Sequence, residues 1–549
     1  MYKVPFHQIS LVRISIFVVV ISSHIPSFAQ TKITGEIVDS RSYEALKHVN
    51  IGIKGKDVGT ASLRNGFFSI EIPSKHLLDT LTFSMVGYYD LDTPINFLDP
   101  RQKLMIRLIE KSTELNEVVI SGERMVQKKY GIKRRGLIHF TDGIFQNNDS
   151  FEIGQLINLG NSEGKITSVN LHINSSRSDS ASFRIKFYGY DEDESRPGER
   201  ISEQDILQRH VVKVGWLKFE LSEYNILLRG KVFVAIEFIP ETRQVEQIFY
   251  EVKIGGSSKS FYRRNSLGQW NAPPHHYCLY VTALVDKSAP EELEDVETPP
   301  AFKMQSAIAK EPFSIFVRLP KNYFKKENTK YPVVYHLDGN VFFDPVSASI
   351  DRLRRKDRIV IEPIVVGIGY ENAYIMDSLR NRDYTFPTAS PKDSFSISGG
   401  GERFYHFIKS ELIPHIERTY RVDTTNRTIM GHSLGGYFVL YSLLRDMNDT
   451  AVFNNYVAAS PSISYYENYV WRCLESTVNK KEYVKKFKLY LTAGEMEVIE
   501  DPEKSFTNFG HIFSTQKFID LRQTIYKDLE HMGTAIPSFE DGIAFVLND

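Results

Sequence analysis

The sequence predicts a multidomain protein in which two all-β sandwiches precede a domain of alternating strands and helices with a mostly parallel sheet. Three observations lead to this prediction. The 549 residues exceed what one hydrophobic core usually holds. Residues 30–286 show short segments of alternating polar and apolar residues, which indicate half-buried strands. Residues 301–549 alternate strand-like and helix-like segments, the pattern of a parallel sheet covered on both faces.

The composition excludes several classes of protein. The chain is 42% hydrophobic and 25% charged, which is ordinary for a globular protein and excludes a largely disordered one. The formal net charge is -1, so no general electrostatic attraction to nucleic acid is expected. The two cysteines, Cys278 and Cys473, exclude a disulfide framework and make a cysteine-based zinc site improbable.

The first 29 residues have the pattern of a secretory signal peptide. Lys3 and Arg13 precede the apolar run 14–21, and small residues lead to Ala29, after which cleavage is expected. The apolar run is too short to span a bilayer, and no other run of about 20 apolar residues follows. We therefore expect a mature chain that is secreted or periplasmic and has no membrane span.

Residues 30–123 form the first predicted sandwich. Asn65 and Gly66 lie between two strand-like segments, and Asn-Gly supplies the positive φ that a tight hairpin needs. The segment contains a series of short motifs: Gly35–Asp39, Gly59-Thr60, Asn65–Ile70, Phe83–Tyr88 and Leu115–Val119. In these motifs it resembles the carboxypeptidase-regulatory-like domain, and the resemblance implies a non-catalytic sandwich.

Residues 124–286 form the second predicted sandwich, which we expect to be similar to a jelly roll. Trp216 and Trp270 would bind a carbohydrate if their rings were exposed, although aromatic side chains of sandwich strands are more often core residues. His275 and His276 are adjacent but have no third ligand at a recognisable spacing. No metal site is therefore predicted.

An acidic linker at 287–300, bounded by prolines, separates the second sandwich from the last domain. In that domain, Gly431-His432-Ser433-Leu434-Gly435 matches the G-x-S-x-G pattern. It follows the apolar segment Thr428–Met430 and precedes the helix-like segment Tyr437–Leu444. A serine on a sharp turn between a strand and a helix has its hydroxyl exposed above the sheet, so Ser433 is predicted to be a nucleophile.

Residues 301–549 contain a series of further motifs: Val317–Pro320, Tyr331–Gly339, Val365–Ile368, Arg380–Tyr384, Ser398–Gly401, Phe404, Glu411–Pro414, Tyr420-Arg421, Gly431–Gly436 and Ala459–Ser462. In these motifs and their order, the segment resembles the α/β-hydrolase family that includes esterase D, the enterobactin-type siderophore esterases and the feruloyl and acetylxylan esterases. The resemblance implies an α/β-hydrolase fold, hydrolysis of a small or polysaccharide-linked ester through an acyl-enzyme, and no cofactor.

The remaining parts of the predicted site follow from chain order. The backbone N–H of Leu434 is expected to form one half of an oxyanion hole, and that of Gly339 or Asn340 the other half. In this fold the order is serine, acid, histidine. The acid is predicted to be Glu497, which follows the strand-like segment 487–492 where the family carries its acid. Glu495, Glu500 and Asp501 are alternatives.

Only His511 and His531 follow Glu497. The apolar spacing predicts a helix over 514–532, with His531 in its last turn, and then a strand over 535–540 without a final helix. In related enzymes the catalytic histidine lies after that strand, where this chain has none. Two hypotheses remain: His511 is a substitute base, or the chain is a non-catalytic envelope binding protein on a degenerate or truncated hydrolase scaffold.

Overall fold

A computed structural model describes most of the chain after the first 29 residues. The predicted signal peptide, most of the acidic linker and His511 lie outside the described residues. The structure describes residues 30–548 except 112–124, 136–137, 141–150, 162, 177–178, 202–203, 240–247, 255–258, 274, 290–297, 390–396, 479–484, 501–505, 507–509, 511, 514–515 and 528.

The first β-rich unit contains two small sheets around one core. The three-stranded sheet has the order β4-β1-β7 and the four-stranded sheet the order β3-β2-β5-β6. Inward side chains such as Ile37, Phe68 and Phe83 are almost fully buried between them. The strands are β1 (Gln30–Asp39), β2 (Asn50–Gly52), β3 (Gly59–Ala61), β4 (Phe67–Pro73), β5 (Thr80–Ser84), β6 (Leu91–Pro94) and β7 (Leu104–Leu108).

The second β-rich unit contains a six-stranded and an eight-stranded sheet. Alternate residues of their strands, such as Phe183, Ile185 and Phe187, fill a shared core, as the period-two pattern predicts. The strands are β8 (Met125–Gly131), β9 (Ile138–Phe140), β10 (Phe151–Asn158), β11 (Gly164–Ser176), β12 (Ser180–Asp191), β13 (Arg196–Arg200), β14 (Ile206–Val211), β15 (Gly215–Glu220), β16 (Leu227–Leu228), β17 (Lys231–Ile239), β18 (Ile248–Ile254), β19 (Ser260–Arg263), β20 (His275–Tyr277) and β21 (Leu279–Asp286).

The two tryptophans considered for carbohydrate contact pack against other side chains of this second unit. The ring of Trp216 lies 4.8 Å from that of Tyr280, and the guanidinium of Arg263 lies 4.3 Å from the ring of Trp270. Both tryptophans are half-buried. Carbohydrate contact by this unit therefore stays a prediction.

The last domain is built on one eight-stranded sheet with the order β22-β23-β25-β24-β26-β27-β28-β29. Its five pairings from β25 to β29 are parallel, and the two at the other edge are antiparallel. The carboxyl ends of β24 and β26–β29 therefore lie along one edge of the sheet. The strands are β22 (Phe302–Gln305), β23 (Pro312–Arg318), β24 (Tyr331–His336), β25 (Ile364–Gly369), β26 (Val422–His432), β27 (Asn455–Ala459), β28 (Phe487–Gly494) and β29 (Ile519–Tyr526).

Helices cover both faces of this sheet. One face buries Phe404, Phe407 and Phe438, and the other buries Phe342 and Phe539. A π-helical segment over Ile408–Leu412 joins the third and fourth helices. The helices are α1 (Gly339–Arg355), α2 (Ala373–Asp383), α3 (Gly401–Phe407), α4 (Ile413–Thr419), α5 (Leu434–Asn448), α6 (Tyr465–Val478), α7 (Glu495–Glu500) and α8 (Ala535–Leu547).

Two predictions for the end of the chain are wrong. Residues 519–526 form strand β29, not a helix, and pair with β28 over eight residues. Ile525, one of the apolar residues whose spacing predicted the helix, is 46% exposed. Residues 535–547 form helix α8, not a strand, so the final helix expected to be missing is present. Ala535, Ser538, Phe539, Gly542 and Ile543 are buried at helical spacing against the sheet.

Candidate active site

Ser433 lies on a sharp turn between β26 and α5. Its backbone has φ 60° and ψ -121°, a conformation that is costly for a residue other than glycine. The turn is held on both sides: the N–H of Ser433 donates to the carbonyl of Ala459 at 3.0 Å, and its own carbonyl accepts from the N–H of Tyr437 at 2.9 Å. The strand and helix thus lie where the G-x-S-x-G pattern predicts them.

The glycines of the pattern are required by close packing. A Cβ atom on Gly431 would lie 2.6 Å from the carbonyl carbon of Gly435. A Cβ atom on Gly436 would lie 2.8 Å from the carbonyl oxygen of Ala459. Side chains at these positions would therefore push α5 away from the sheet and open the turn that presents Ser433.

Glu497 lies in α7, directly after β28. Its Oε1 accepts hydrogen bonds from the N–H of Gly494 at 2.7 Å and from Oγ of Ser460 at 2.8 Å. Its Oε2 lies 2.6 Å from Nδ1 of His531. Burial raises the pKa of Glu497, but the hydrogen bond and charge of His531, with those of Gly494 and Ser460, outweigh burial and lower the pKa below its usual value.

His531 begins the 3₁₀ turn His531–Thr534 that leads into α8. Its side chain is 40% exposed, so one side of the ring is accessible. Its carbonyl oxygen lies 2.8 Å from Nε2 of His432 and 2.7 Å from Oγ1 of Thr534. The backbone of His531 is therefore fixed at the same edge of the sheet as Ser433.

His432 connects the turn of Ser433 to His531. Its ring centre lies 4.7 Å from that of His531, and its side chain is almost completely buried. Burial, together with the nearby charges of His531 and Arg380, lowers the pKa of His432 to about 3. The ring is neutral near pH 7, and its Nε2 must carry the proton because the bonding partner is a carbonyl oxygen.

The three residues predicted for the oxyanion hole lie at two helix starts. Leu434 is the first residue of α5 and Gly339 the first of α1, and N–H groups in a first helical turn have no acceptor within the helix. The side chain of Asn340 is engaged elsewhere, with both the N–H and the carbonyl of Tyr370. Because β24 and β26 are parallel neighbours, both helix starts lie at the same edge of the sheet.

Sequence reasoning missed His531. The signal that could have identified it was chain order, since it is one of only two histidines after Glu497. Of the rivals considered, His511 and Asp501 lie outside the described residues. Glu495 is the first residue of α7, whereas Glu497, two residues later, bonds to the imidazole of His531.

Within the described ranges, no group of three or more histidine, cysteine, aspartate or glutamate side chains is arranged to hold a metal ion. In the same part of the chain, no helix combines the length and apolarity needed to cross a membrane.

Comparison with known families identifies two segments. Residues 306–496 match the family described as "Putative esterase". Residues 33–120 match the CarboxypepD_reg-like domain. The chain therefore has an N-terminal β-rich part followed by an esterase-like domain. The esterase match ends before Glu497 and His531, so their assignment rests on geometry.

Curated relatives of the esterase-like domain are siderophore esterases. The chain is 38% identical over 177 residues to the ferri-bacillibactin esterase BesA of Bacillus subtilis, a match covering 30% of this chain and 60% of the relative. It is 32% identical over 140 residues to the apo-salmochelin esterase of Escherichia coli, covering 24% of this chain and 42% of the relative. The chain thus spans less than two thirds of each of these relatives.

Solved structures also resemble this chain. The BES protein from Bacillus cereus is 24% identical, with a TM-score of 0.40, and the match covers 47% of this chain and 100% of that one. An IroE-like serine hydrolase from Shewanella oneidensis is 25% identical, with a TM-score of 0.39, and the match covers 44% of this chain and 78% of that one.

Proposed function

We propose that the esterase-like domain is a serine hydrolase that cleaves carboxylic esters through an acyl-enzyme on Ser433, with His531 as general base and Glu497 as the acid that orients it. The observation that carries this proposal is the 2.6 Å contact between Nδ1 of His531 and Oε2 of Glu497. An ionised carboxylate at this position keeps the proton on Nδ1 and leaves Nε2 free to accept the proton of a serine hydroxyl.

Each proposed residue has one chemical task. Oγ of Ser433 attacks the ester carbonyl carbon while Nε2 of His531 takes its proton. The negative charge that develops on the carbonyl oxygen is stabilised by the N–H of Leu434 and by that of Gly339 or Asn340. The imidazolium of His531 then protonates the leaving alcohol, and a water molecule activated by the same imidazole hydrolyses the acyl-enzyme.

For the substrate, we propose a siderophore ester as the first class to test. The support is the similarity of residues in this domain to relatives whose names describe siderophore esterases. A secreted or periplasmic location, as the N-terminal pattern suggests, would place the enzyme where iron chelates pass. No cofactor is needed, because acyl transfer by serine uses only the groups described above.

The alternative function, a non-catalytic envelope binding protein, depended on the absence of a suitable histidine. His531 is positioned beside Glu497 and is the proposed general base, so that reason no longer applies. No observation favours the alternative.

Labelling with a fluorophosphonate probe tests the proposal. We expect the full chain to be labelled and to hydrolyse p-nitrophenyl acetate, and Ser433→Ala to lose both properties. Ser462→Ala is the matched control, because its Oγ lies 3.4 Å from that of Ser433 yet has no proposed role. A folded wild-type protein that is not labelled would contradict the proposal.

A further inference from the structure

Two buried hydroxyl groups join Glu497 to the backbone of His531. Oγ of Ser460 lies 2.8 Å from Oε1 of Glu497 and 2.6 Å from Oγ1 of Thr534. Oγ1 of Thr534 in turn lies 2.7 Å from the carbonyl oxygen of His531. The side chains of Ser460 and Thr534 are almost completely buried, so water cannot replace these partners.

The contacts outnumber the protons available. Three short oxygen–oxygen contacts share two hydroxyl protons, one from Ser460 and one from Thr534. The 2.6 Å contact between the two hydroxyls requires a proton, because two bare lone pairs at this distance repel each other. Only two arrangements remain: the protons point from Thr534 to Ser460 and on to Glu497, or from Ser460 to Thr534 and on to the carbonyl of His531.

Two features favour the first arrangement: the hydrogen bond from His432 to the carbonyl of His531, and the negative charge of the Glu497 carboxylate. The carbonyl of His531 already accepts the Nε2 proton of His432 at 2.8 Å, so it does not need the proton of Thr534. The Glu497 carboxylate is the stronger acceptor because it is ionised. Each arrangement leaves one contact without a proton. In the first, a lone pair of Thr534 faces the neutral carbonyl of His531 at 2.7 Å. In the second, a lone pair of Ser460 faces the charged carboxylate at 2.8 Å, which is the costlier repulsion.

The backbone of Ser460 adopts a strained conformation. Its φ is 37°, a left-handed conformation that a serine adopts at a cost. Its N–H donates to the carbonyl of Thr492 at 3.0 Å, so the conformation is held from the neighbouring strand. Strain of this kind persists where the surrounding structure holds it in place, and Oγ of this strained residue is the atom that contacts Glu497.

We propose that His432, Thr534 and Ser460 are positioning residues that act together: His432 donates to the carbonyl of His531, so that the Thr534 hydroxyl donates to Ser460 and the Ser460 hydroxyl donates to Glu497. This inference rests on the proposed function for its catalytic consequence. In this arrangement His432 fixes the backbone of His531, and Glu497 accepts three donors rather than two.

The test uses the full chain with selectively ¹⁵N-labelled histidine and follows the Nδ1–H resonance of His531, assigned by its loss in His531→Gln. In Ser460→Ala the carboxylate loses a donor and becomes a stronger acceptor, so we expect this resonance to move downfield. Thr534→Val should move it in the same direction by less, and Thr534→Ser should restore the wild-type position. Thr428→Val, another fully buried threonine, is the control and should leave it unchanged.

Rates of ester hydrolysis give the second measurement. We expect kcat of Ser460→Ala to fall about tenfold with little change in KM, the effect of one lost hydrogen bond to a charged group, and Thr534→Ser to keep the wild-type rate. An upfield shift of the resonance in Thr534→Val would show that Ser460 donates to Thr534 instead of accepting from it, and would overturn the proposal. An unchanged resonance in both Ser460→Ala and Thr534→Val would also overturn it. A wild-type protein without esterase activity refutes the proposed function alone, because the resonance is measured without turnover.

Discussion

Nδ1 of His531 lies 2.6 Å from Oε2 of Glu497, although the two residues lie in segments that follow different strands of the sheet. Glu497 follows β28 directly, and His531 lies in the turn between β29 and α8. Because β28 and β29 are parallel neighbours, the segments that follow them meet at the same edge. The pairing of the last two strands therefore brings the carboxylate and the imidazole together.

The first prediction distinguishes the two histidines that follow Glu497. His531→Gln should lower kcat/KM for p-nitrophenyl acetate by about three orders of magnitude or more, because Ser433 loses its base. His511→Gln should keep the wild-type rate. Steady-state kinetics of both folded variants provides the measurement, and the reverse order of effects would identify His511 as the base.

The second prediction concerns the acid. Glu497→Gln should lower kcat by about two to four orders of magnitude with KM little changed, because the amide cannot stabilise the imidazolium that forms during the reaction. Glu495→Gln, two residues earlier in α7, is the matched control and should have the wild-type kcat. Equal loss in the two variants would show that the carboxylate of Glu497 has no specific role.

The third prediction separates stability from activity at Ser433. Both Ser433→Gly and Ser433→Ala should be inactive, but the glycine variant should have the higher Tm. Its backbone adopts φ 60° without the cost of about 1–3 kcal/mol paid by other residues, which exceeds the entropic penalty of roughly 0.4–1 kcal/mol for glycine in the unfolded chain. Thermal unfolding followed by circular dichroism measures this difference, and an alanine variant of equal or higher Tm would refute a strained turn.

The fourth prediction concerns acid stability. The pKa of His432 is about 3 in the folded protein and about 6.5 in an unfolded chain. Between these values the unfolded state binds one more proton, so stability falls as the pH falls, by up to about 1.4 kcal/mol per pH unit. His432→Gln, which cannot titrate and keeps an N–H donor, should therefore gain in Tm relative to wild type as the pH is lowered from 6.5 toward 4.

A constant Tm difference between His432→Gln and wild type over this pH range would show that the His432 ring becomes protonated in the folded protein without cost.

Local sequence was enough to predict the proposed nucleophile, the elements around it and the approximate position of the proposed acid. The turn at Ser433 depends on residues within a few positions of it, because Gly431 and Gly436 are needed by the strand and helix that flank them. Glu497 could be predicted because the end of β28 is adjacent to it in sequence. Such features carry their physical cause within the segment itself, so a single sequence displays them.

Only the tertiary structure shows which histidine lies beside Glu497. The apolar residues Phe518, Leu521 and Ile525 fit a helical period, yet residues 519–526 become a strand because β28 offers them an unpaired edge, a long-range interaction that local periodicity does not record. The same pairing places His531 beside Glu497, and the packing of α8 on the sheet fixes the turn between them. The sequence by itself specified which chemistry to expect, whereas the strand pairing decided which imidazole lies beside Glu497.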